Sequence, residues 1–170
     1  MSLQPSKWLK YCLNNFVKSK KTALDLACGK GRNSLLLAKC GFSVLSVDIN
    51  KEFLQCFSHN NIKKIEKDVE KINNWPLSKA GFDIIVVTNF LNRSIFPLII
   101  SAINPYGFLI YETFSVGQEK IGKPTNRNYL LKEKELTHLC NNLLLIKYEE
   151  IWAHNPENKY FKQRSICKNV

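Results

Sequence analysis

The sequence lacks the residue patterns that mark disulfide-stabilised and metal-binding proteins. Its six cysteines are scattered singly, and no Cys-x-x-Cys pair is present for zinc binding or redox chemistry. We therefore expect free thiols, since three disulfides would be typical of a small secreted domain with a weak core. The three histidines, His59, His138 and His154, lie far apart without a His-x-x-x-His spacing, so no metal site is expected.

Long hydrophobic runs are also missing. The longest apolar stretches, at residues 84–87, 98–100 and 143–146, are too short to cross a bilayer. The first five residues lack the charged-then-apolar order of a signal peptide. We therefore expect a cytoplasmic protein with no membrane contact. Its 170 residues predict one domain over 1–170, which opens with an amphipathic helix within residues 1–20.

Acidic residues are scarce. The chain has 14 of them and 25 lysines and arginines, which gives a net charge of +11. A basic surface attracts nucleic acid and acidic substrates. The lysines are spread along the whole chain, however, so a compositional bias explains the charge equally well. The same two interpretations apply to Lys159, Lys162 and Arg164, which suit either a nucleic-acid contact or outward charges on a strand near the sheet edge. Nucleic acid is a possible partner, but a small-molecule substrate is favoured.

Helical and strand patterns alternate along the chain. The unbroken apolar run within residues 82–88 is typical of a parallel strand that is covered on both faces. The alternation predicts an α/β fold with a doubly wound, mainly parallel sheet and helices on both faces. Strands are predicted at residues 22–28, 42–47, 62–66, 82–88, 107–113, 143–151 and 160–168, and helices after the first at 33–39, 51–58, 96–103 and 132–141.

A glycine-rich turn, Gly29-Lys30-Gly31, follows the first predicted strand. Ligands of open α/β sheets bind beyond the carboxyl ends of the strands, and glycines let the backbone approach a ligand closely. A dinucleotide fingerprint, G-x-G-x-x-G, would need glycine where the chain has Ser34. Asp25, on the strand itself, suits a ligand with an ammonium and a sulfonium group better than one with a pyrophosphate.

Two further acids follow predicted strands. Asp48 lies seventeen residues after Gly31, where a carboxylate can accept hydrogen bonds from both hydroxyls of a ribose. The alternative role for Asp48 is the N-cap of the next helix. Asp68 follows the third predicted strand and is a candidate partner for an adenine amino group.

The run ALDLACGKGRN at residues 23–33, with Val47-Asp48 and residues 82–87 downstream, resembles the class I S-adenosylmethionine-dependent methyltransferase family. Within it, the chain is most similar to small bacterial enzymes of the tellurite-resistance type, which residues 107–114 and 117–131 also resemble. The resemblance implies a Rossmann-like sheet of seven strands with the last strand antiparallel, and S-adenosylmethionine as cofactor over the first two strand ends. It also implies cofactor contacts from Asp25, Ala27, Cys28, Gly29, Gly31, Arg32, Asn33, Asp48, Ile49, Asp68, Val69 and Asn89, with Ala27 in place of the first glycine of the commoner motif.

Methyl transfer requires the acceptor to be aligned with the methyl group and water to be excluded, and it sometimes requires a base. The candidates for these catalytic roles follow the fourth and fifth strands: Asn89, Tyr111 and Glu112. Arg93 either binds an acidic substrate or caps the adjacent helix region. The irregular segment at residues 115–129 is either part of the acceptor pocket or a solvated connection.

The predicted function is methyl transfer to a small molecule or an oxyanion. The fourth strand ends in Thr88-Asn89-Phe90-Leu91, which differs from the Asn/Asp-Pro-Pro-Tyr signature of enzymes that methylate base amines. An RNA methyltransferase, a cofactor-binding protein without catalysis, and a nicotinamide-dependent oxidoreductase remain as alternatives.

Overall fold

A computed structural model describes residues 4–18, 21–71, 81–153 and 159–170. Their strands form one seven-stranded sheet in the order β3-β2-β1-β4-β5-β7-β6. Strands β1 to β5 run parallel, whereas β7 is antiparallel to both of its neighbours, so the predicted mixed sheet is confirmed. The strands are β1 (Thr22–Leu26), β2 (Ser43–Asp48), β3 (Ile62–Glu66), β4 (Phe82–Thr88), β5 (Ile103–Phe114), β6 (Leu144–Ile151) and β7 (Lys162–Lys168).

Helices pack on both faces of this sheet, as predicted. On one face, Trp8, Leu9 and Leu37 pack in a cluster with Ile84 and Val86 of β4. On the other face, a second buried cluster joins side chains of the fourth and fifth helices to the alternate residues of β4. The helices are α1 (Lys7–Asn15), α2 (Arg32–Lys39), α3 (Lys51–Gln55), α4 (Phe96–Ser101) and α5 (Glu135–Leu139).

The described residues also bear on the expectations about disulfides, membrane-spanning helices and metal ligands. All six cysteines are free thiols, and four of them are buried, as expected of a core without disulfides. Among the described ranges, no helix combines the length and the apolar character needed to cross a membrane. The same ranges contain no group of three or more His, Cys, Asp or Glu side chains suited to a metal ion, and His154 lies outside them.

The fifth strand begins four residues earlier than predicted. The preceding helix was predicted to reach residue 103, but α4 ends at Ser101, and Asn104 and Pro105 belong to β5. The pairing of β5 with β4 shifts register between Phe82 and Ile84, so the extra residues form an irregularity in the ladder. Proline is tolerated at such a bulge because no ladder hydrogen bond is required of it there.

The strand predicted at residues 160–168 lies near the sheet edge, but its charges are not all outward. β7 lies between β5 and β6, and β6 is the edge strand. β7 pairs with β5 over seven residues, which buries most of its side chains, including that of Lys162. A sequence pattern of alternating charge does not reveal this, because the position of a strand depends on pairing between distant segments.

Candidate active site

The glycine turn connects β1 to α2 through three residues with positive φ. Ala27, Gly29 and Gly31 have φ values of 53°, 56° and 71°. The Cys28 N–H donates to the carbonyl of Val47 at 3.0 Å, which ties the turn to the end of β2. The turn therefore lies where the carboxyl ends of β1 and β2 meet.

The two glycines of the turn face different surroundings. A Cβ atom on Gly29 would meet nothing within 4 Å, so the backbone there borders open space. A Cβ atom on Gly31 would lie 2.3 Å from the ring of Phe57. Gly29 is thus suited to close approach of a ligand, whereas Gly31 is required by packing.

Asp48 holds the turn from the end of β2. One carboxylate oxygen accepts the Gly29 N–H at 2.7 Å, and the other accepts the Asn50 N–H at 2.9 Å. The N-cap of α3 is Asn50, whose side chain accepts the Phe53 N–H. The alternative role of Asp48 as a helix cap therefore belongs to Asn50, and Asp48 keeps free lone pairs beside the open face of Gly29.

Asp25 is fully buried beneath the turn. The Ser34 hydroxyl donates to one carboxylate oxygen at 2.6 Å, and Ser46 donates to Ser34 at 2.8 Å. The other carboxylate oxygen has no hydrogen-bond partner within the described part of the chain. Burial raises the pKa of Asp25 to about 7, against the opposing effect of the Ser34 hydrogen bond. A cationic group bound nearby would favour the ionised form.

The N-terminal segment crosses the start of α2 and engages two predicted cofactor-binding residues. Arg32 donates to the Gln4 carbonyl at 3.0 Å. The side-chain oxygen of Asn33 accepts the Ser6 N–H at 3.0 Å, while its amide donates to the Thr88 hydroxyl at 2.9 Å. These contacts give both residues a role in anchoring the segment before α1, and their contact with a cofactor stays a prediction.

The remaining residues predicted beside the cofactor occupy the same edge of the sheet. Ile49 follows β2 with 63% of its surface exposed, which is unusual for an isoleucine. Asp68 follows β3 and accepts the Glu70 N–H at 3.0 Å, and the side chain of Val69 is buried. Cys28 is buried as well, and burial raises the pKa of its thiol. The thiol therefore stays protonated at neutral pH, as expected of a small side chain packed in a turn rather than of a nucleophile.

Asn89, Glu112 and Lys162 form a polar cluster near the carboxyl ends of β4 and β5. The Lys162 ammonium donates to Asn89 Oδ1 and to Glu112 Oε1, both at 2.8 Å. The second carboxylate oxygen of Glu112 accepts from the Ser6 hydroxyl at 3.3 Å. Two of the three predicted catalytic residues are therefore brought together, joined by a lysine that sequence reasoning had not assigned to the site.

The third predicted catalytic residue, Tyr111, is placed in the hydrophobic core. Its ring stacks on Phe96 with centroids 5.0 Å apart, and its hydroxyl donates to the Phe90 carbonyl at 2.8 Å. Burial raises the pKa of this hydroxyl. Tyr111 therefore supports the loop after β4 from beneath, and its hydroxyl is engaged by the Phe90 carbonyl.

A pocket of about 310 Å³ opens beside the cluster. Its walls combine apolar and aromatic side chains with a few polar groups. Two of the lining residues, Pro124 and Tyr129, belong to the irregular segment at 115–129. The lining residues are Glu70, Asn89, Phe90, Leu91, Thr113, Phe114, Pro124 and Tyr129.

Arg93 holds the segment that bounds this pocket. Its guanidinium forms two hydrogen bonds to the carboxylate of Glu135, at 2.6 and 2.8 Å, and donates to the carbonyls of Asn128 and Leu130. The bound carboxylate raises the pKa of Arg93, and the same pair lowers that of Glu135. The adjacent helical turn is capped by Asn92, so Arg93 does not act as the cap that was considered; its guanidinium instead joins the segment before α5 to the end of β4.

The sequence analysis missed Lys162 because nothing close to it in the chain indicates the site. Its partners lie 73 and 50 residues away, at the ends of other strands. Only the antiparallel register of β5 with β7, which pairs Phe114 with Lys162, brings them together. Its neighbours in the chain, Phe161 and Gln163, do not point to the site.

Comparison with known proteins adds a family to this geometry. The family model of the tellurite resistance protein TehB matches residues 13–156. The chain belongs to the TehB family. A probable S-adenosyl-L-methionine-dependent methyltransferase TehB of Haemophilus influenzae is 28% identical over 147 residues, covering 75% of this chain and 47% of the relative. YqeM of Bacillus subtilis is 28% identical over 126 residues, covering 66% of this chain and 48% of the relative.

A solved structure supports the TehB-family fold. The crystal structure of TehB from Haemophilus influenzae matches with a TM-score of 0.76 at 21% identity, covering 95% of this chain and 61% of that chain. Of the two relatives compared by sequence, TehB and YqeM, the chain spans about half the length.

Proposed function

We propose that the protein transfers a methyl group from S-adenosylmethionine to a small-molecule or oxyanion acceptor. The observation that carries this proposal is the pairing of Asp48 with the open face of Gly29 at the carboxyl ends of β1 and β2. A carboxylate beside an accessible backbone turn suits a ribose, and membership of the TehB family supports S-adenosylmethionine as the ligand that carries it.

The residues around the turn fit the other parts of this cofactor. The buried carboxyl of Asp25, with one oxygen unpartnered among the described residues, lies beneath the turn, where a cationic ligand would favour its ionised form. The exposed side chain of Ile49 offers an apolar surface for a flat base, and Asp68 follows the neighbouring strand. When bound, S-adenosylmethionine supplies an activated methyl group: the acceptor's lone pair bonds to the methyl carbon, and the methyl–sulfur bond breaks with its electron pair kept on sulfur.

The acceptor pocket suits a small ligand whose reactive atom must be shielded from water. Phe90, Leu91 and Phe114 supply apolar walls, and Pro124 and Tyr129 bring the 115–129 segment to the same pocket. This arrangement supports the prediction that the segment forms part of the acceptor site. Tellurite is the first oxyanion to test, because the TehB family is described by tellurite resistance.

Calorimetry with S-adenosylmethionine, S-adenosylhomocysteine, NAD and NADP tests the cofactor. We expect the first two to bind and the nicotinamide cofactors not to bind. Gly29→Ala should weaken binding at least about tenfold because its methyl group enters the ligand's path. Gly41→Ala is the matched control, since Gly41 also has positive φ and open space around it but lies after α2. Equal affinities of the two variants would contradict the site.

The acceptor is then tested by methyl-transfer assays with tellurite, selenite, small organic acids, amines and bulk RNA. We expect product from an oxyanion or a small organic molecule. Methylation of RNA alone would contradict the small-molecule proposal and would indicate that the positive charge of the chain serves to bind RNA.

A further inference from the structure

Lys162 is an unusual residue to find inside a protein. Only 6% of its surface is exposed, and the rings of Phe114 and Tyr160 lie 4.7 and 4.8 Å from its ammonium nitrogen. Burial lowers its pKa, with Glu112 opposing that effect. A buried ion pair is weak evidence for stability, because desolvation offsets much of its attraction. The position therefore calls for a role in the neighbouring pocket.

The chemistry of an ammonium group fixes the orientation of the Asn89 amide. An ammonium has donors only, so the amide atom that lies 2.8 Å from Lys162 must be the carbonyl oxygen. The amide nitrogen of Asn89 is then directed away from Lys162. Among the described residues, none accepts a hydrogen bond from that nitrogen, and Asn89 lines the pocket.

The backbone of Asn89 is fixed as well. Its φ is 57°, a left-handed conformation that asparagine tolerates better than most residues. Its N–H donates to the Glu112 carbonyl at 2.8 Å. The side chain and the backbone of Asn89 are therefore both held beside the pocket.

We propose that Lys162 is a positioning residue: it fixes the Asn89 amide with its N–H groups toward the pocket, so that the site selects ligands with a hydrogen-bond-accepting group such as an anionic oxygen. An ammonium-bearing ligand would leave those donors unpaired, which is a cost that discriminates strongly between ligands. This inference rests on the proposed function, because it takes the pocket to hold the methyl acceptor.

Benzoate and benzylamine are suitable probes of this preference. They share a ring, and the pocket of about 310 Å³ exceeds the cavity of about 150 Å³ that holds benzene in other proteins. The carboxylate accepts hydrogen bonds, whereas the ammonium donates them. Titrations followed by the ¹⁵N signals of the asparagine side chains should show benzoate binding about tenfold more tightly to the unaltered protein, with the Asn89 signals shifting.

Two variants separate positioning from bulk charge. Asn89→Asp replaces the donors with an acceptor, so the preference should reverse in favour of benzylamine. Asn61→Asp is the matched control, because it makes the same charge change at an exposed residue before β3, at the opposite edge of the sheet. It should leave the preference as in the unaltered protein.

The double variant Lys162→Met/Glu112→Gln removes both buried charges, so neither is left without its partner. It frees the Asn89 amide to rotate. We expect the preference for benzoate to fall to about threefold or less, and the Asn89 side-chain signals to broaden or double. Thermal melting verifies that this variant is folded, and Asn89→Asp tests the donor role independently if it is not.

The outcomes decide between positioning and a purely structural role. An unchanged preference in Asn89→Asp, or a folded double variant that keeps both the preference and the sharp signals, would overturn the proposal. So would the absence of any shift of the Asn89 signals with either probe. S-adenosylhomocysteine affinity is measured on the same samples. Failure of the unaltered protein to bind it would refute the proposed function, while the benzoate and benzylamine titrations would still decide the role of Lys162.

Discussion

The two sides of the candidate site are built from the chain in different ways. The cofactor side, residues 25–50, is held by hydrogen bonds between residues 9, 12 and 19 positions apart. The acceptor side, formed by Asn89, Glu112 and Lys162 with the adjoining pocket, is held by contacts across 50, 73 and 106 positions. A local segment encodes the first side, and strand pairing assembles the second.

Because of this difference, substitutions on the two sides of the site should have different effects on ligand binding and on stability. On the cofactor side, the two glycines of one turn divide the roles, so substitution of Gly29 should mainly affect binding and substitution of Gly31 should mainly affect folding. On the acceptor side, the groups that line the pocket are held by distant residues, so substitutions away from the pocket should change it.

Gly31→Ala should destabilise the protein by about 3 kcal/mol, because the added Cβ overlaps the Phe57 ring and the backbone has positive φ. Urea denaturation measures the loss. Gly29→Ala is the control within the same turn, with a similar φ and open space, and it should cost only about 1 kcal/mol. Equal losses of stability would show that the turn does not divide its roles between these glycines.

Asp48→Ala should lower S-adenosylmethionine affinity by about 1.5–3 kcal/mol, roughly ten- to a hundredfold, because the ribose loses a charged hydrogen-bond acceptor. The control is Asn50→Ala, which removes the cap of α3 and should cost about 1 kcal/mol of stability with affinity unchanged. Calorimetry and urea denaturation of both variants measure the two quantities. An Asp48→Ala protein with normal affinity would exclude the ribose contact.

Arg93→Met should destabilise the protein by about 1–2 kcal/mol and loosen the wall of the pocket, because it leaves Glu135 and two loop carbonyls without their donor. The folded state holds the pKa of Glu135 below its usual range. The contribution of this pair is therefore present at neutral pH and is lost as the pH falls through that lowered value. The difference between Arg93→Met and the unaltered protein should accordingly shrink in acid; a constant difference would contradict the pairing.

Arg127→Ala should change stability by less than about 0.5 kcal/mol, although Arg127 also forms an ion pair in the same segment. Its side chain is 73% exposed and contacts Glu119 at 3.1 Å, so water replaces the contact readily. Thermal melting of this variant beside Arg93→Met compares the two arginines directly. A loss as large as that of Arg93→Met would mean that the exposed pair supports the loop.

Sequence patterns predicted the elements best where the determinants are local. The bounds of β3 and β4 agree with the prediction, and the apolar run that marks β4 is contiguous in the chain. The helices at 51–58 and 132–141 were predicted too long, since α3 and α5 each span five residues. Helix ends depend on caps and on packing, which a periodic pattern does not contain.

The sequence alone determined the alternating α/β plan and the turn from Asp25 to Gly31 with Asp48 after the next strand, because these features depend on apolar periodicity and on residues close together in the chain. Only the tertiary structure placed β7 inside the sheet, Tyr111 in the core and Lys162 against Asn89 and Glu112. Strand order and register are set by contacts between distant segments, and a lysine shows no local sign of whether the fold will bury it.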